Sequence, residues 1–557
     1  MSEEIVITPL DTHFARLMVR LNGAPDADLE RAATAVSAWR AAGHTCMPLA
    51  ALGGEGLAAK LRAAAVVGAP GEFKPLILDP AERLYLQRYW VCEDDLARAI
   101  RGRLVEAEHD AALLARGLKR LFPKAAKNDG QRAAAEMAVR KKFAVITGGP
   151  GTGKTYTVAR VLALLADQLD ATGRLPRIAL AAPTGKAAAR LQESIAQTLA
   201  SMPATEALHR MPPGEAGTIH RLLGTIPDSP DFRHDRGHPL AVDVLIVDEA
   251  SMVDLALMTR LFAAVPAEAR VILLGDKDQL SSVEAGNVLG DICGDGANAI
   301  AGHLVELRTA HRFGGASGIQ ALSELVNAGD ADAALALLAA GTHADIRLAP
   351  TPAAREIEQQ LAPLVIAGCG SFLQEPDPAS ALAKVNEFRI LCAVRRGPFG
   401  VENLNRLAEQ ILADAGLLAP NAPHYHGRPI VITANDHSLG LFNGDVGLIR
   451  RDPAADGELR AFFATGTGGL RRVLPARLPA HETSFAMTVH KSQGSEFARV
   501  LIVLPDRDSP LATRELLYTG ITRARRAVEV WAGDGLLRSA IARRTFRASG
   551  LREKLSR

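Results

Sequence analysis

The segment Gly148-Gly149-Pro150-Gly151-Thr152-Gly153-Lys154-Thr155 constrains this chain more than any other stretch. It fits G-x-x-x-x-G-K-[ST]. An apolar run, Phe143–Thr147, precedes it, and helically spaced apolar positions (Val158, Val161, Leu162, Leu165) follow it. A buried strand, a glycine-rich turn and a helix in that order belong to an α/β fold built on a parallel sheet. The glycines let the backbone curl until successive N–H groups point inward, and the helix N-terminus adds its positive dipole end. Such a cradle holds phosphates. Lys154 is placed to reach the β- and γ-phosphates, and the Thr155 hydroxyl to ligate Mg²⁺. Alone, the motif indicates only a nucleoside triphosphate.

The pattern of strand and helix then repeats. Short apolar runs at Arg177–Ala182, Val242–Val247, Arg270–Gly275 and His303–Leu307 are separated by helical stretches, and a second set follows at Arg389–Val394, Arg499–Leu504 and Ala527–Trp531. Two α/β units in tandem are expected. From about 427 to 483 the texture changes to short runs at Ile430–Thr433, Val446–Arg450, Leu459–Ala464 and Arg472–Leu474, with a hairpin signal at Asn443-Gly444-Asp445. This predicts a small β-barrel inserted into the second unit. Residues 1–118 mix amphipathic helical stretches with irregular segments and carry no motif of chemistry, so a helical packing or partner-binding domain is expected there. The boundaries expected are 1–118, 119–360 and 361–557, and Ala331–Ala340 reads as a helix.

Composition narrows the class. With 557 residues the chain is long enough for about three to five domains. Hydrophobic residues at 48% and charged residues at 23% exclude wholesale disorder. Aromatic residues at 4% argue against a binding surface made mainly of stacked rings, while a net charge of +2 leaves room for a local basic groove. Cys46, Cys92, Cys293, Cys369 and Cys392 show no C-x-x-C spacing, so neither a disulfide framework nor a zinc site is expected. The start lacks the pattern of a signal peptide, and no apolar run is long enough to span a bilayer. A cytoplasmic protein is expected, with no membrane partner.

Two further strand ends carry chemistry. Val244-Leu245-Ile246-Val247-Asp248-Glu249 ends an apolar strand in two acids. Asp248 can hold Mg²⁺ through its water shell, and Glu249 can orient and deprotonate an attacking water. This pair points to hydrolysis rather than phosphoryl transfer to a metabolite. Leu274-Gly275-Asp276-Lys277-Asp278-Gln279 places a neutral amide, Gln279, where it can sense the γ-phosphate or the attacking water.

With those residues in hand, the chain resembles a superfamily 1 helicase. Gln131 resembles the adenine-reading glutamine upstream of the P-loop. Ala182–Arg190 resembles motif Ia, Thr218–Leu223 motif Ib, His311-Arg312-Phe313 motif IV, Thr488–Phe497 motif V and Tyr518–Arg525 motif VI, in the family's order. Val283-Glu284-Ala285-Gly286, Leu439–Asp445 and Leu478–Arg526 bring it closer to the RecD helicases of superfamily 1B, the alpha subunits of exodeoxyribonuclease V. Gly43–Leu49 and Arg83–Leu86 are similar more loosely.

The resemblance implies two RecA-like domains, an SH3-like barrel within the second, and ATP with Mg²⁺ as cofactors. It implies a nucleotide site at Gln131, Gly148 to Thr155 and Glu496, with Arg312 and Arg523 as cations on the γ-phosphate. It implies DNA contacts at Thr184, Lys186, Thr218, His220, Thr488, His490 and Lys491. The activity implied is 5′→3′ DNA unwinding in a heterotrimer with RecB-like and RecC-like subunits that processes double-strand breaks for repair in the bacterial cytosol. The nuclease is expected in a partner chain.

The second unit has no phosphate cradle of its own. It should therefore act from across a cleft, chiefly through Arg523, whose planar, permanently charged guanidinium suits phosphoryl oxygens. Core packing is the preferred reading of Phe313, Phe442 and Phe485, with stacking on bases the alternative. Two rival readings stay open at this stage. One is a free-standing RecD-like helicase, which would be expected to carry a longer N-terminal extension. The other is a regulatory subunit that binds ATP and DNA without translocating.

Overall fold

The computed structural model describes residues 5–54, 56–123, 129–170, 176–202, 216–294, 300–309, 317–436, 438–465 and 469–557. Its first large sheet is six-stranded and parallel, in the order Leu304–Leu307, Phe143–Gly148, Arg270–Gly275, Val244–Val247, Ile178–Ala182, Gly217–Thr218. All five expected strands are present, and Gly217–Thr218 adds an edge. Every residue of Phe143–Gly148 and Val244–Val247 is buried. Helices cover both faces, so the strands are continuously apolar rather than alternating. Phe143, Val145, Leu245 and Val247 pack into the core on one face, and Ala144, Ile146, Val244 and Ile246 into that on the other.

The second sheet is also parallel, in the order Ile346–Ala349, Ala524–Trp531, Phe497–Val503, Phe388–Cys392, Ala486–Thr488. Three of its strands were expected. The division expected at 360 does not match the packing. Ile346–Ala349 pairs with Ala524–Trp531, and Ile319, Leu322 and Val326 share a core with Val500, Ile502 and Leu517. Residues 317–360 therefore pack with the second sheet. Their Ala/Leu-rich helices, Gly318–Ala328 and Ala331–Ala340, carry no mark in sequence of which sheet they will cover. Likewise position 118 falls inside the helix Ala111–Leu121, whose Leu114, Leu118 and Leu121 join the core of the first sheet.

Between the helix Val401–Asp414 and the strand Ala486–Thr488 lies a five-stranded antiparallel sheet. Its order is Leu470–Val473, Leu459–Ala464, Val446–Arg451, Arg428–Ile432, His481–Thr483. Ile430, Ile432, Ile449, Ala461 and Phe463 fill its small core.

The N-terminal region departs from the helical expectation. Helices Pro9–Asn22, Ala27–Ala41 and Leu57–Ala63 pack on a four-stranded sheet of Met47–Pro48, Arg83–Leu86, Leu76–Leu78 and Val67–Gly68. Strands of two to four residues are too short to display a period of two, so the sequence shows only the helices. Among the described residues no helix is long and apolar enough to cross a membrane.

The chain's last segment returns to that N-terminal region. Thr45 N–H donates to the Ala548 carbonyl (3.0 Å) and Ala548 N–H to His44 Nδ1 (2.9 Å), while Leu551–Ser556 packs on the helix Gln87–Arg101. At the centre is Glu93, fully buried. It accepts from Thr45 Oγ1 (2.6 Å), Ser549 Oγ (3.0 Å) and Gly550 N–H (3.1 Å), and pairs with Lys554 Nζ at 2.9 Å.

Candidate active site between the two parallel sheets

The C-terminal ends of the first sheet's strands face the second unit across a cavity of about 440 Å³. Gly153, at φ +85°, stands in the left-handed region, and a Cβ there would collide with the Gln131 amide. Only glycine fits. Gln131 itself begins the helix Gly130–Arg140, whose N-cap Asp129 accepts from the Gln131 and Arg132 N–H groups. Its Nε2 donates to the Thr152 carbonyl (3.0 Å), so the amide rests on the loop. Lys154 Nζ donates to the carbonyls of Gly148 and Gly149.

Asp248 and Glu249 leave the strand Val244–Val247 at the cavity wall. Glu249 sits at φ +52°, strained for a residue with a Cβ, and its N–H donates to Asp248 Oδ1 (2.8 Å). Burial, and then the Glu249 charge, push the Asp248 carboxyl up to about 6, against the pull of Lys154 and Arg190. The Thr155 hydroxyl and the Asp248 carboxylate are hard oxygen donors on one cavity, the donor set that suits Mg²⁺.

From the other side comes Arg523, 3% exposed. Its Nε donates to the Thr519 carbonyl (3.1 Å) and its Nη1 to that of Ser495 (3.4 Å). Burial lowers its pKa, and the charges of Glu249 and Glu496 oppose that shift. Arg523 and Lys154 line the same cavity, as do Thr155, Gln279 and Glu496. Gln279 Nε2 donates to Asp276 Oδ2 (2.9 Å). Arg312 lies outside the described residues, as does Phe313.

The residues expected on DNA divide between the units. Thr184 and Thr218 cap helices, accepting from the N–H groups of Ala187 (3.2 Å) and Arg221 (3.1 Å). His220 is exposed, its ring 5.8 Å from that of Phe232. Lys186 reaches across the cleft to Ser495 Oγ (2.8 Å), and burial pushes its ammonium down to about 8. Thr488 Oγ1 accepts from Lys491 N–H (3.2 Å), and Lys491 pairs with Glu482 at 2.7 Å. His490 is half-buried and its pKa is lowered, mainly by burial. Phe485 is buried against Phe372, which makes it core. Phe442 packs on Gly185 at the start of the helix Gly185–Ala200.

Among the residues at the cleft that were not singled out by sequence are four that bond across it. Arg190 bonds the Gly494 carbonyl (2.7 Å) and pairs with Glu496 (2.8 Å) across it. Asp276, Tyr518 and Thr519 form a second set of crossings. All four lie inside recognised motifs, so the signal was present. Their roles depend on which residue faces them from the other unit.

Comparison with known proteins follows the same lines. Residues 131–285 match a family described as an AAA domain, residues 483–530 the UvrD-like helicase C-terminal domain, and residues 3–59 the N-terminal domain of RecBCD enzyme subunit RecD. RecBCD enzyme subunit RecD of Mycolicibacterium smegmatis is 42% identical over 99% of this chain and 98% of its own length. The Mycobacterium tuberculosis protein of the same name is 45% identical over 86% of this chain and 83% of its own. The ATP-dependent RecD2 DNA helicase of Deinococcus radiodurans is 33% identical over 80% of this chain and 54% of its own. With the P-loop, the paired strand-end acids and the arginine of the second unit gathered at one cavity, this chain belongs to the RecD family of RecBCD enzyme subunits.

Proposed function

We propose that the cavity between the parallel sheets is where this chain, an ATP-dependent DNA helicase and a subunit of a RecBCD-type enzyme, binds and hydrolyses ATP. The observation that carries this is the convergence of Lys154 and Arg523, from different sheets, on one cavity of about 440 Å³. The loop Gly148–Thr155 wraps the phosphates, and Gln131 reads the adenine. Thr155 and Asp248 would hold Mg²⁺, which would supply positive charge to offset that of the phosphates. Glu249 takes a proton from water as its oxygen bonds to the γ-phosphorus and the bond to the bridging oxygen breaks. Lys154 and Arg523 stabilise the charge on the transferred group, joined by Arg312. Glu496 holds Arg190 across the site.

The two sheets are RecA-like units, and we read the antiparallel insert as an SH3-like barrel. Thr184, Thr218 and His220 on one unit, and Thr488, His490 and Lys491 on the other, line a path for single-stranded DNA. Lys186 joins them by exchanging Ser495 for a phosphate. Alternate closing and opening of the cleft moves the strand 5′→3′ through the complex with RecB-like and RecC-like partners, which carry the nuclease. The work is repair of double-strand breaks in the cytosol. Strand displacement on duplexes with a 5′ or a 3′ overhang tests this, with wild type and Lys154→Gln in the assembled enzyme whose partner motor is inactivated. Unwinding from the 5′ overhang, lost in Lys154→Gln, is expected. Unwinding from the 3′ overhang, or equal activity of the variant, contradicts it.

A further inference from the structure

The segment that follows the strand Arg270–Gly275 is gripped by the second unit. The buried Asp276 carboxylate accepts from Asp278 N–H (3.1 Å), from Gln279 Nε2 (2.9 Å) and from the Tyr518 hydroxyl (2.9 Å). Leu280 N–H donates to Thr519 Oγ1 (2.9 Å), and the Leu280 carbonyl accepts from Gln493 Nε2 (2.8 Å). Tyr518 and Thr519 lie on the helix Arg514–Ile521, which packs on the second sheet, and Gln493 precedes that sheet's strand Phe497–Val503. Tyr518 also touches the phosphate loop. A Cβ on Gly149 would lie 2.8 Å from its hydroxyl, so the phenol is wedged between the loop and Asp276.

The consequence falls on Gln279. A side-chain amide has a donor end and an acceptor end, and the Asp276 oxygens, which already accept from the Asp278 N–H and the Tyr518 hydroxyl, accept from it too. Asp276 therefore selects the Nε2 end. Gln279 Oε1 is left buried with no hydrogen-bond partner among the described residues, on a side chain that is 6% exposed and lines the cavity. A buried carbonyl oxygen without a donor is rare and costly. The γ-phosphate oxygens are acceptors and cannot satisfy it. The O–H of an attacking water can.

We propose that Tyr518 and Asp276 are positioning residues that hold Gln279 with its carbonyl oxygen toward the attacking water, and that Tyr518 makes this orientation conditional on closure of the two units. The inference rests on the assignment of the cavity to ATP. When the cleft opens, the contacts from Tyr518, Thr519 and Gln493 go together, and Gln279 is free to turn away. Hydrolysis is thereby tied to closure by a route separate from Arg523.

The test is a double-mutant cycle on ATP turnover at saturating oligo-dT, in the assembled enzyme with the partner motor inactivated. Tyr518→Phe removes one hydroxyl. It is expected to lower kcat by about 10–100-fold with the ATP KM within twofold, the size of loss that misplacing a reacting group brings. Gln279→Ala is expected to lose at least as much. The double variant is expected to be no slower than Gln279→Ala, because Tyr518 acts through that side chain. Asp276→Asn, whose amide can donate to Gln279 Oε1 and turn it round, is expected to reproduce the kcat loss. Losses that multiply in the double variant, a Tyr518→Phe enzyme at wild-type rate, or an Asp276→Asn enzyme with only KM changed overturns the proposal. Wild-type turnover no faster than that of Lys154→Gln would instead overturn the assignment of the cavity to ATP, and the proposal with it.

Discussion

The cleft between the two parallel sheets and the joint that fastens the N-terminal region to the first sheet both bury charge, yet they leave it in different states. At the joint, Glu93 has no exposed surface, and three uncharged donors and Lys554 meet its oxygens. The Lys554 ammonium lies, besides, 4.9 Å and 5.0 Å from the ring centres of Tyr85 and Trp90. At the cleft, the Arg190–Glu496 pair keeps side-chain exposures of 43% and 16%, and Gln279 Oε1 has no partner among the described residues. Asp248 is held high by burial beside a second acid, a condition that Asp291 shares at the joint, where burial and the charge of Glu93 raise it. A carboxylate whose oxygens are all met, as those of Glu93 are, gains nothing from a ligand. A network short of donors and of positive charge is completed by one. Glu93 and its donors are built to hold, and the cleft to be finished by what enters it.

One substitution breaks the chemistry at the cleft by orders of magnitude and leaves the joint intact. Glu249→Gln should lower ATP turnover by about 10²–10⁴-fold, the range for loss of a general base, while fluorescent-nucleotide titration shows binding within a few-fold. Next, Glu93→Ala should strand Lys554 in the joint and lower stability by about 3–5 kcal/mol, read from denaturant unfolding. A loss below about 1 kcal/mol would mean the joint is not held as described.

Acid offers a reversible version of that experiment. His44 Nδ1 accepts the Ala548 N–H, which requires a neutral nitrogen, and burial pushes its pKa from 6.5 down to about 4. The unfolded chain binds the proton first. The stability this ring contributes is whole above pH 6.5 and is lost as the pH falls toward 4, by at most about 3 kcal/mol. The protection of amides around Ala548, corrected for the intrinsic exchange rate at each pH, should fall over that window in wild type and not in His44→Asn. The smallest effect belongs to the half-exposed pair. Arg190→Ala should raise the ATP KM by less than about fivefold, since such pairs contribute about 0–1 kcal/mol.

Legibility in the sequence followed the physics of each region. Buried parallel strands are apolar throughout, so Arg270–Gly275 and Val244–Val247 stand out between helices, and the glycine-rich turn announces itself by spacing. Lys154, Thr155, Asp248, Glu249 and Gln279, candidates in the first unit, were therefore readable as chemistry, whereas Gln131, Arg312 and Arg523 were reached through resemblance to motifs. The N-terminal sheet was hidden because Met47–Pro48 and Val67–Gly68 are too short to carry a period. The joint was hidden because Glu93 and Lys554 lie far apart along the chain, and a lone acid or lysine reads as a solvated surface. Tyr518 and Asp276 were visible as letters in their motifs. That one bonds the other follows only from closing one unit on the other.

Turnover and nucleotide affinity of Arg523→Ala, measured on the same DNA-bound preparation, bear most directly on whether the second unit completes the ATP site of the first. The expected result is an ATP dissociation constant within a few-fold of wild type and a turnover lower by about 10³–10⁵-fold, as for removal of an arginine finger. Undiminished turnover, or equal loss of binding and turnover, would contradict it.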